Sequence, residues 1–353
     1  MIKRTIDISS NAAARLRIEN DQLVIEREGP GIAIPGLEGQ VKGSATKSEA
    51  RVPCEDVGIL LIDQQRVVYT HSVMTRLMEK GACVVLCGED HLPCGLVLPL
   101  EGNELLTQRL RRQVEVSRPL EKRLWQQVIR AKISAQADAL EEAGRRRMRV
   151  GMALPGMEGA CEETGAVVRL LRNLVLEVQS GDVTNVEGQA ARAYWERLMG
   201  EGFRRARGGS WPNPVLNYGY MVMRAAVARA IAGAGLHPSF GVHHHNRGNA
   251  FCLADDLVEP LRPLVDAAVV GLLETSAAGK VGEQGRVTPE VKRVLLGLLV
   301  WEVQVGDQTG PLMVQLHRVA TSVWRCYESG RGELDLPKYE FGRLMEGAGD
   351  ADA

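Results

Sequence analysis

The first hundred residues carry the two-residue period of half-buried strands. Arg4-Thr5-Ile6-Asp7-Ile8 and Ala14-Arg15-Leu16-Arg17-Ile18 alternate polar with apolar positions, and Leu23-Val24-Ile25 follows the turn-prone Glu19-Asn20-Asp21. Residues 29–44 are rich in glycine and proline, which predicts a long loop or inserted segment. Order resumes at Val52. The run Val57-Gly58-Ile59-Leu60-Leu61-Ile62-Asp63 is apolar without alternation, as in a strand covered on both faces. A short helix over 71–79 then leads to a strand at 83–86 and a last one near 96–98.

Beyond Gly102 the period lengthens. Residues 105–139 place apolar side chains at helical spacing, with an interruption expected at Pro119. Further helices are expected over 167–178, 189–198, 214–234, 253–270, 289–303 and 311–328. The reading is α+β: a small N-terminal β-rich domain over 1–102, a larger all-α domain over 103–345, and a flexible tail over 346–353. No internal repeat is visible.

A chain of 353 residues can bury the cores of two domains. Hydrophobic residues at 45% and charged residues at 25% suit a soluble globular protein. With aromatics at 4%, stacking of bases on aromatic platforms is not the expected mode of any nucleic-acid binding. A net charge of −1 requires that any DNA affinity come from local basic clusters. The N-terminus lacks the apolar stretch of a secretory signal, and the longest aliphatic run, 294–301, is too short to cross a bilayer. No membrane association is expected. A cytoplasmic location follows, with the cysteines reduced. Cys83, Cys87 and Cys94 with His91 raise the question of zinc. Cys83 and Cys87 fall in an apolar strand, however, and no C-x-x-C pair is present, so buried apolar cysteines are the expectation.

Three segments gather chemistry. In Ser180-Gly181-Asp182-Val183-Thr184-Asn185-Val186-Glu187 a turn feeds a helix with Glu187 in its first turn. Thr184-x-x-Glu187 also fits a capping box, in which the glutamate only satisfies the helix end. In Gly241-Val242-His243-His244-His245-Asn246 the adjacent histidines cannot all face one site, but a neutral imidazole is a common metal ligand. In Leu253-Ala254-Asp255-Asp256-Leu257-Val258-Glu259 the carboxylates of Asp256 and Glu259, three apart, leave one helix face. Arg262, three beyond Glu259, offers a plain ion pair instead. Paired carboxylates with an upstream histidine otherwise point to Mg²⁺ or Mn²⁺, and the imidazole favours Mn²⁺.

These segments belong to a wider set. Gly181-Asp182, Asn185-Val186-Glu187-Gly188, Ala191-Arg192, Tyr194-Trp195, Asn217-Tyr218-Gly219-Tyr220, Gly235-Leu236-His237-Pro238, Gly241, His244 and Leu253-Ala254-Asp255-Asp256-Leu257 followed by Glu259-Pro260 and Arg262-Pro263 stand in order along the chain. Lys3-Arg4-Thr5, Val52-Pro53, Glu55-Asp56-Val57-Gly58, His91-Leu92-Pro93, Gly95-Leu96, Leu98-Pro99, Lys132-Ile133 and Gln136-Ala137 extend it. The combination resembles the CRISPR-associated spacer-acquisition endonuclease/integrase, in the type II variety found beside single-protein effector nucleases.

The resemblance implies a metal triad of Glu187, His244 and Glu259, with Asp256 supporting it. His244 is chosen because the family histidine stands three residues after the glycine, here Gly241; His243 and His245 remain alternatives. It implies joining of the 3′-hydroxyl ends of short DNA fragments into the CRISPR repeat by phosphodiester transesterification. It also implies a homodimer formed through the β-rich domain, with two dimers bridged by a small companion adaptation protein. Arg109, Arg111, Arg112 and Lys132 in the first helical stretch, Arg204, Arg205 and Arg207, and Asn217 with Tyr218 are the expected DNA contacts. The segments 29–44 and 141–164 are longer than the family pattern, and the charge run Arg145-Arg146-Arg147-Met148-Arg149 in the second is expected to be a solvated loop. Two other functions compete: a structure-specific nuclease on branched DNA, and a non-catalytic DNA-binding scaffold in which the capping box and the ion pair are both correct. A helical carboxylate–histidine oxygenase is disfavoured because no second Glu-x-x-His appears.

Overall fold

The alternating N-terminal segments become β1 (Arg4–Ile8), β2 (Ala14–Glu19) and β3 (Gln22–Glu28), followed by β4 (Lys42–Ser44), β5 (Lys47–Pro53), β6 (Val57–Ile62) and β7 (Val67–Tyr69). Helix α1 (His71–Glu79) leads to β8 (Cys83–Cys87) and β9 (Pro93–Val97). The computed structural model describes residues 3–8, 13–28, 42–44, 47–89, 93–100, 103–150, 161–274 and 287–342. Most of 29–44, His91, residues 151–160 and the tail at 346–353 lie outside these.

The strands form two sheets, one of order β1-β6-β8-β9 and one of order β4-β5-β3-β2-β7. Alternation along β6 explains its uninterrupted apolar run. Leu60 and Ile62 join Ile6, Ile8 and Val84 in a core shared with the five-stranded sheet and α1. Ile59 and Leu61 point the other way and join Cys83, Val85 and Cys87 in the core of the helical portion. The four-stranded sheet is thus covered on both faces. Cys83 and Cys87 pack there as apolar residues, and burial pushes both thiols up to about 12.

The helical portion comprises α2 (Leu106–Val114), α3 (Arg118–Val150), α4 (Cys161–Glu177), α5 (Val186–Met199), α6 (Asn213–Gly233), α7 (Cys252–Val258), α8 (Arg262–Glu274), α9 (Pro289–Gly297) and α10 (Leu312–Ser329). The expected α+β division, β-rich then helical, is the one observed. Helix α3 runs through the middle and packs against α4, α5 and α8. Pro119 does not interrupt it. It sits in the first turn, where a missing N–H breaks no intrahelical bond.

Three local expectations are corrected. The helix expected over 253–270 is split by a 3₁₀ turn, Glu259–Leu261, because Pro260 and Pro263 withhold N–H donors. The helix expected over 289–303 ends at Gly297, and Glu302-Val303-Gln304-Val305 forms β10 (Glu302–Val305) with alternate residues buried. Strand β10 pairs with β11 (Gln308–Pro311) and β12 (Pro337–Lys338), so a small sheet stands within the helical portion. The charge run at 145–148 is not a loop but part of the last turns of α3. Arg147 is buried there, donating to Glu274 at 2.7 Å and to the Leu198 carbonyl at 2.7 Å.

Candidate active site

Helix α5 starts where the sequence places it, but its cap is not the expected one. Asn185, at φ 52°, is the N-cap and accepts from the Gly188 N–H. The Asp182 carboxylate accepts from the Val186 and Glu187 N–H groups at 2.9 and 3.0 Å. Thr184 makes no cap, so the capping-box reading fails and the Glu187 side chain is free to turn inward. Its Oε1 lies 2.5 Å from Lys132 Nζ on α3.

The same ammonium donates to Glu259 Oε2 at 2.6 Å, from the 3₁₀ turn between α7 and α8. The expected ion pair between Arg262 and Glu259 is present too, at 2.9 Å to Oε1. It uses only one of the two carboxylate oxygens. Arg262 is in turn stacked 4.7 Å over the Tyr220 ring. Lys132 is buried because it lies on the apolar stripe of α3, in phase with Trp125, Val128 and Ile129. Burial works against both charges, yet the pair outweighs it. Lys132 is held above its ordinary value by Glu259 and Glu187, and Glu259 is held down at about 2 by Lys132 and Arg262.

The three histidines separate cleanly. His243 stacks on Trp125 with centroids 4.0 Å apart, and His244 meets the same indole edge-on at 5.7 Å. Trp125 and Lys132 are seven apart on one face of α3, so this loop lies beside the carboxylate pair. His245 points outward, its Nε2 3.2 Å from Arg118. His244 Nδ1 lies 2.5 Å from Asp256 Oδ1. Asp256 is fully buried and also accepts from the Val242, His243 and His244 N–H groups at 2.7, 3.1 and 3.2 Å. Both of its oxygens are therefore committed to the loop. The hydrogen bond from His244 raises the imidazole above its ordinary value, and it fixes the tautomer that leaves Nε2 as the acceptor nitrogen. Gly241 permits the loop to close: a Cβ there would stand 2.5 Å from the His244 carbonyl oxygen and 2.7 Å from Asp256 Oδ2.

Among the described residues, no three His, Cys, Asp or Glu side chains are gathered as a metal cage. The Lys132 ammonium stands between two of the donors. That ammonium is itself a cation held by Glu187 and Glu259, so their two oxygens are donors of the kind a hard cation takes.

The expected DNA contacts fall into three groups. Arg111, Arg112, Arg204 and Arg207 are exposed, and Arg112 also donates to the Tyr327 carbonyl. Arg109 is tied to the Ala234 carbonyl and lies over Trp324, while Arg205 donates to Asn213 and Asn217. Tyr218 is a correction: it is fully buried beside Lys292 and has no surface to offer a phosphate. Lys132 is likewise interior. A cleft of about 610 Å³ is lined by Arg205, Arg207, Asn217, Arg224, Asp255 and Arg262, the last of which pairs with Glu259. A second of about 690 Å³, lined by Arg118, Phe240, His245 and Arg247, lies across the 246–249 loop. Sequence reasoning missed Arg224, which reaches Asp255 and Asn249 at 2.6 and 2.9 Å and anchors this loop to α6.

The family described as CRISPR associated protein Cas1 matches residues 9–295. A CRISPR-associated endonuclease Cas1 of Neisseria meningitidis is 34% identical over 271 residues, covering 77% of this chain and 81% of the relative. Among solved structures, a casposase bound to integration product superposes with a TM-score of 0.70 at 19% identity, over 97% of this chain and 95% of that one. A Cas6-RT-Cas1–Cas2 complex gives a TM-score of 0.64 at 15% identity, over 94% of this chain and 36% of that one.

Proposed function

The chain belongs to the Cas1 family of CRISPR-associated proteins, and from that membership we propose a metal-dependent DNA integrase of CRISPR adaptation. It joins the 3′-hydroxyl ends of short DNA fragments to the CRISPR repeat. In this transesterification one P–O bond forms as another breaks, and the departing strand leaves with its own 3′-hydroxyl. The observation that carries the reading is the convergence of the Glu187 and Glu259 carboxylates on one cation, beside a histidine held by a buried carboxylate.

Glu187 and Glu259 are the oxygen ligands in this reading and His244 Nε2 the nitrogen ligand. A bound Mg²⁺ or Mn²⁺ would supply charge neutralisation at the attacked phosphate and acidify the attacking hydroxyl. Asp256 is a positioning residue, since its oxygens hold the loop and the imidazole. The exposed Arg111, Arg204 and Arg207 bind backbone phosphates, which positions the strands without reading their sequence. Such binding weakens steeply with salt. A homodimer through the β-rich region, a small companion adaptation protein bridging two dimers, and a cytoplasmic location belong to the same reading. No helix among the described residues is long and apolar enough to cross a membrane. The solved Cas6-RT-Cas1–Cas2 complex supports the companion by shared fold alone.

The test is strand transfer of a short duplex with free 3′-hydroxyls into a repeat-bearing plasmid, with Mn²⁺ or Mg²⁺ and the companion protein. Half-site products are expected from the wild type and not from Glu187→Ala, His244→Ala or Glu259→Ala. Transfer retained by a folded variant would remove that residue from the triad. Cutting of branched DNA without transfer would favour the structure-specific nuclease, and metal-independent DNA binding without either would favour the scaffold.

A further inference from the structure

Lys132 does nothing at the surface of the protein. Its stem lies in the apolar stripe of α3, and the residue is 8% exposed. A lysine in such a place is retained only if its charge is used, because burying an unpaired ammonium is strongly unfavourable. Here it is used twice over. Nζ donates to Glu187 Oε1 at 2.5 Å and to Glu259 Oε2 at 2.6 Å, and so joins an oxygen from α5 to one from the turn before α8. Remove it, and two like charges converge on one interior point. Arg262 relieves only Glu259, through the other oxygen.

A divalent ion bound by the same two oxygens would need the space that the ammonium fills. Hard cations sit about 2.0–2.6 Å from carboxylate oxygens, closer than or comparable to the lysine nitrogen. Two cations cannot share that point at low dielectric without strong repulsion. The lysine stem is flexible and can withdraw.

We propose that Lys132 is a tethered cation, a positioning residue that holds Glu187 and Glu259 converged until a divalent ion displaces its ammonium. This rests on the reading of Glu187 and Glu259 as metal ligands, and adds to it a residue that sets how tightly the ion is held. The site is kept assembled without metal, and each binding event must overcome the resident charge. Replacing Lys132 by a neutral residue of similar length therefore tightens metal binding while weakening the metal-free fold.

The experiment measures Mn²⁺ affinity by calorimetry, and melting temperature in chelator and in saturating Mn²⁺, for wild type, Lys132→Met, Lys132→Gln and Glu187→Ala. Lys132→Met and Lys132→Gln are expected to bind Mn²⁺ at least about tenfold more tightly than wild type, as the loss of one close charge–charge repulsion requires. They should melt lower in chelator and gain more from Mn²⁺. Should neither variant fold, amine-selective labelling of wild type decides. Lys132 is expected to label faster with Mn²⁺ than with chelator, and equal rates would overturn the displacement. Mn²⁺ bound by wild type and lost in Glu187→Ala, but equal or weaker in the Lys132 variants, would sink the role given to Lys132 and leave the ligand assignment standing. Mn²⁺ bound by neither wild type nor the Lys132 variants would sink the ligand assignment itself.

Discussion

Asp256 accepts three backbone N–H groups and one imidazole while fully buried, so its two oxygens face donors only. Asparagine at this position would turn an amide nitrogen toward at least one of those donors. Asp256→Asn should therefore lower stability by about 1–3 kcal/mol, the penalty of one buried unmade hydrogen bond. Urea denaturation of the metal-free protein measures it, and an unchanged midpoint would show that the loop is held otherwise. Gly241→Ala should destabilise the same loop, because the new methyl meets the His244 carbonyl oxygen and Asp256 Oδ2. At this scale the sequence singled out segments that the fold brings side by side, and left their wiring open. The histidine-rich run and the carboxylates stood out by type, but only the fold shows His243 on Trp125, His244 on Asp256 and His245 outside. Composition places Lys132 among the basic residues of its helix as a DNA contact, but its phase argues otherwise: it falls on the face of Val128 and Ile129, where a charge is out of place unless paired.

Two carboxylates govern how the helices around the site are held. Asp182 caps α5 by accepting from Val186 and Glu187, the residue whose side chain reaches Lys132. Asp182→Ala should cost about 1 kcal/mol of stability, and somewhat more for the left-handed backbone at φ 48°. Asp182→Asn, which tolerates that backbone and keeps one acceptor, should lose less; equal losses in the two would rule out the cap as the cause. On α8, Asp266 receives the Tyr194 hydroxyl at 3.1 Å and also that of Tyr220, and so ties α5 and α6 to α8. Burial lifts its pKa from the ordinary 3.8 to about 7, even though the two tyrosines pull it down. Such a carboxyl holds more protons folded than unfolded between those values. By linkage, stability falls as pH rises from about 4 through about 7 and then levels. Asp266→Asn should flatten that part of the pH–stability curve, as melting between pH 4 and 8 would show. A curve with the wild-type slope in the variant would assign the pH dependence elsewhere. Elements with a clean period were legible, while boundaries were lost where a short-range rule overrode it. Pro260 breaks what reads as one helix, and Glu302 to Val305 alternates at the end of an apolar run that reads as helix.

At the scale of the whole molecule, the β-rich and helical portions are joined by polar contacts set into a shared apolar core. Lys292 of α9 pairs with Asp63 at the end of β6, both buried, and Arg229 of α6 donates to the Gly81 carbonyl at 2.8 Å. Nothing in the local pattern announces this pairing, because the partners lie 229 residues apart. What the sequence did show is the two-sided apolar run of β6, which requires a second layer on each face of the sheet. A buried ion pair contributes little relative to an apolar pair of the same shape, whereas removing one partner strands the other charge. Asp63→Ala should therefore cost about 3–5 kcal/mol, and Lys292→Met a comparable amount, since each strands the other, buried charge. The double change Asp63→Leu with Lys292→Met should recover most of the loss. Guanidinium denaturation of the four proteins tests this, with loss of a single cooperative transition in Asp63→Ala as an additional sign that the portions have uncoupled. If the double variant is as unstable as Asp63→Ala, the ion pair itself holds the two portions together, and the shared apolar core does not suffice.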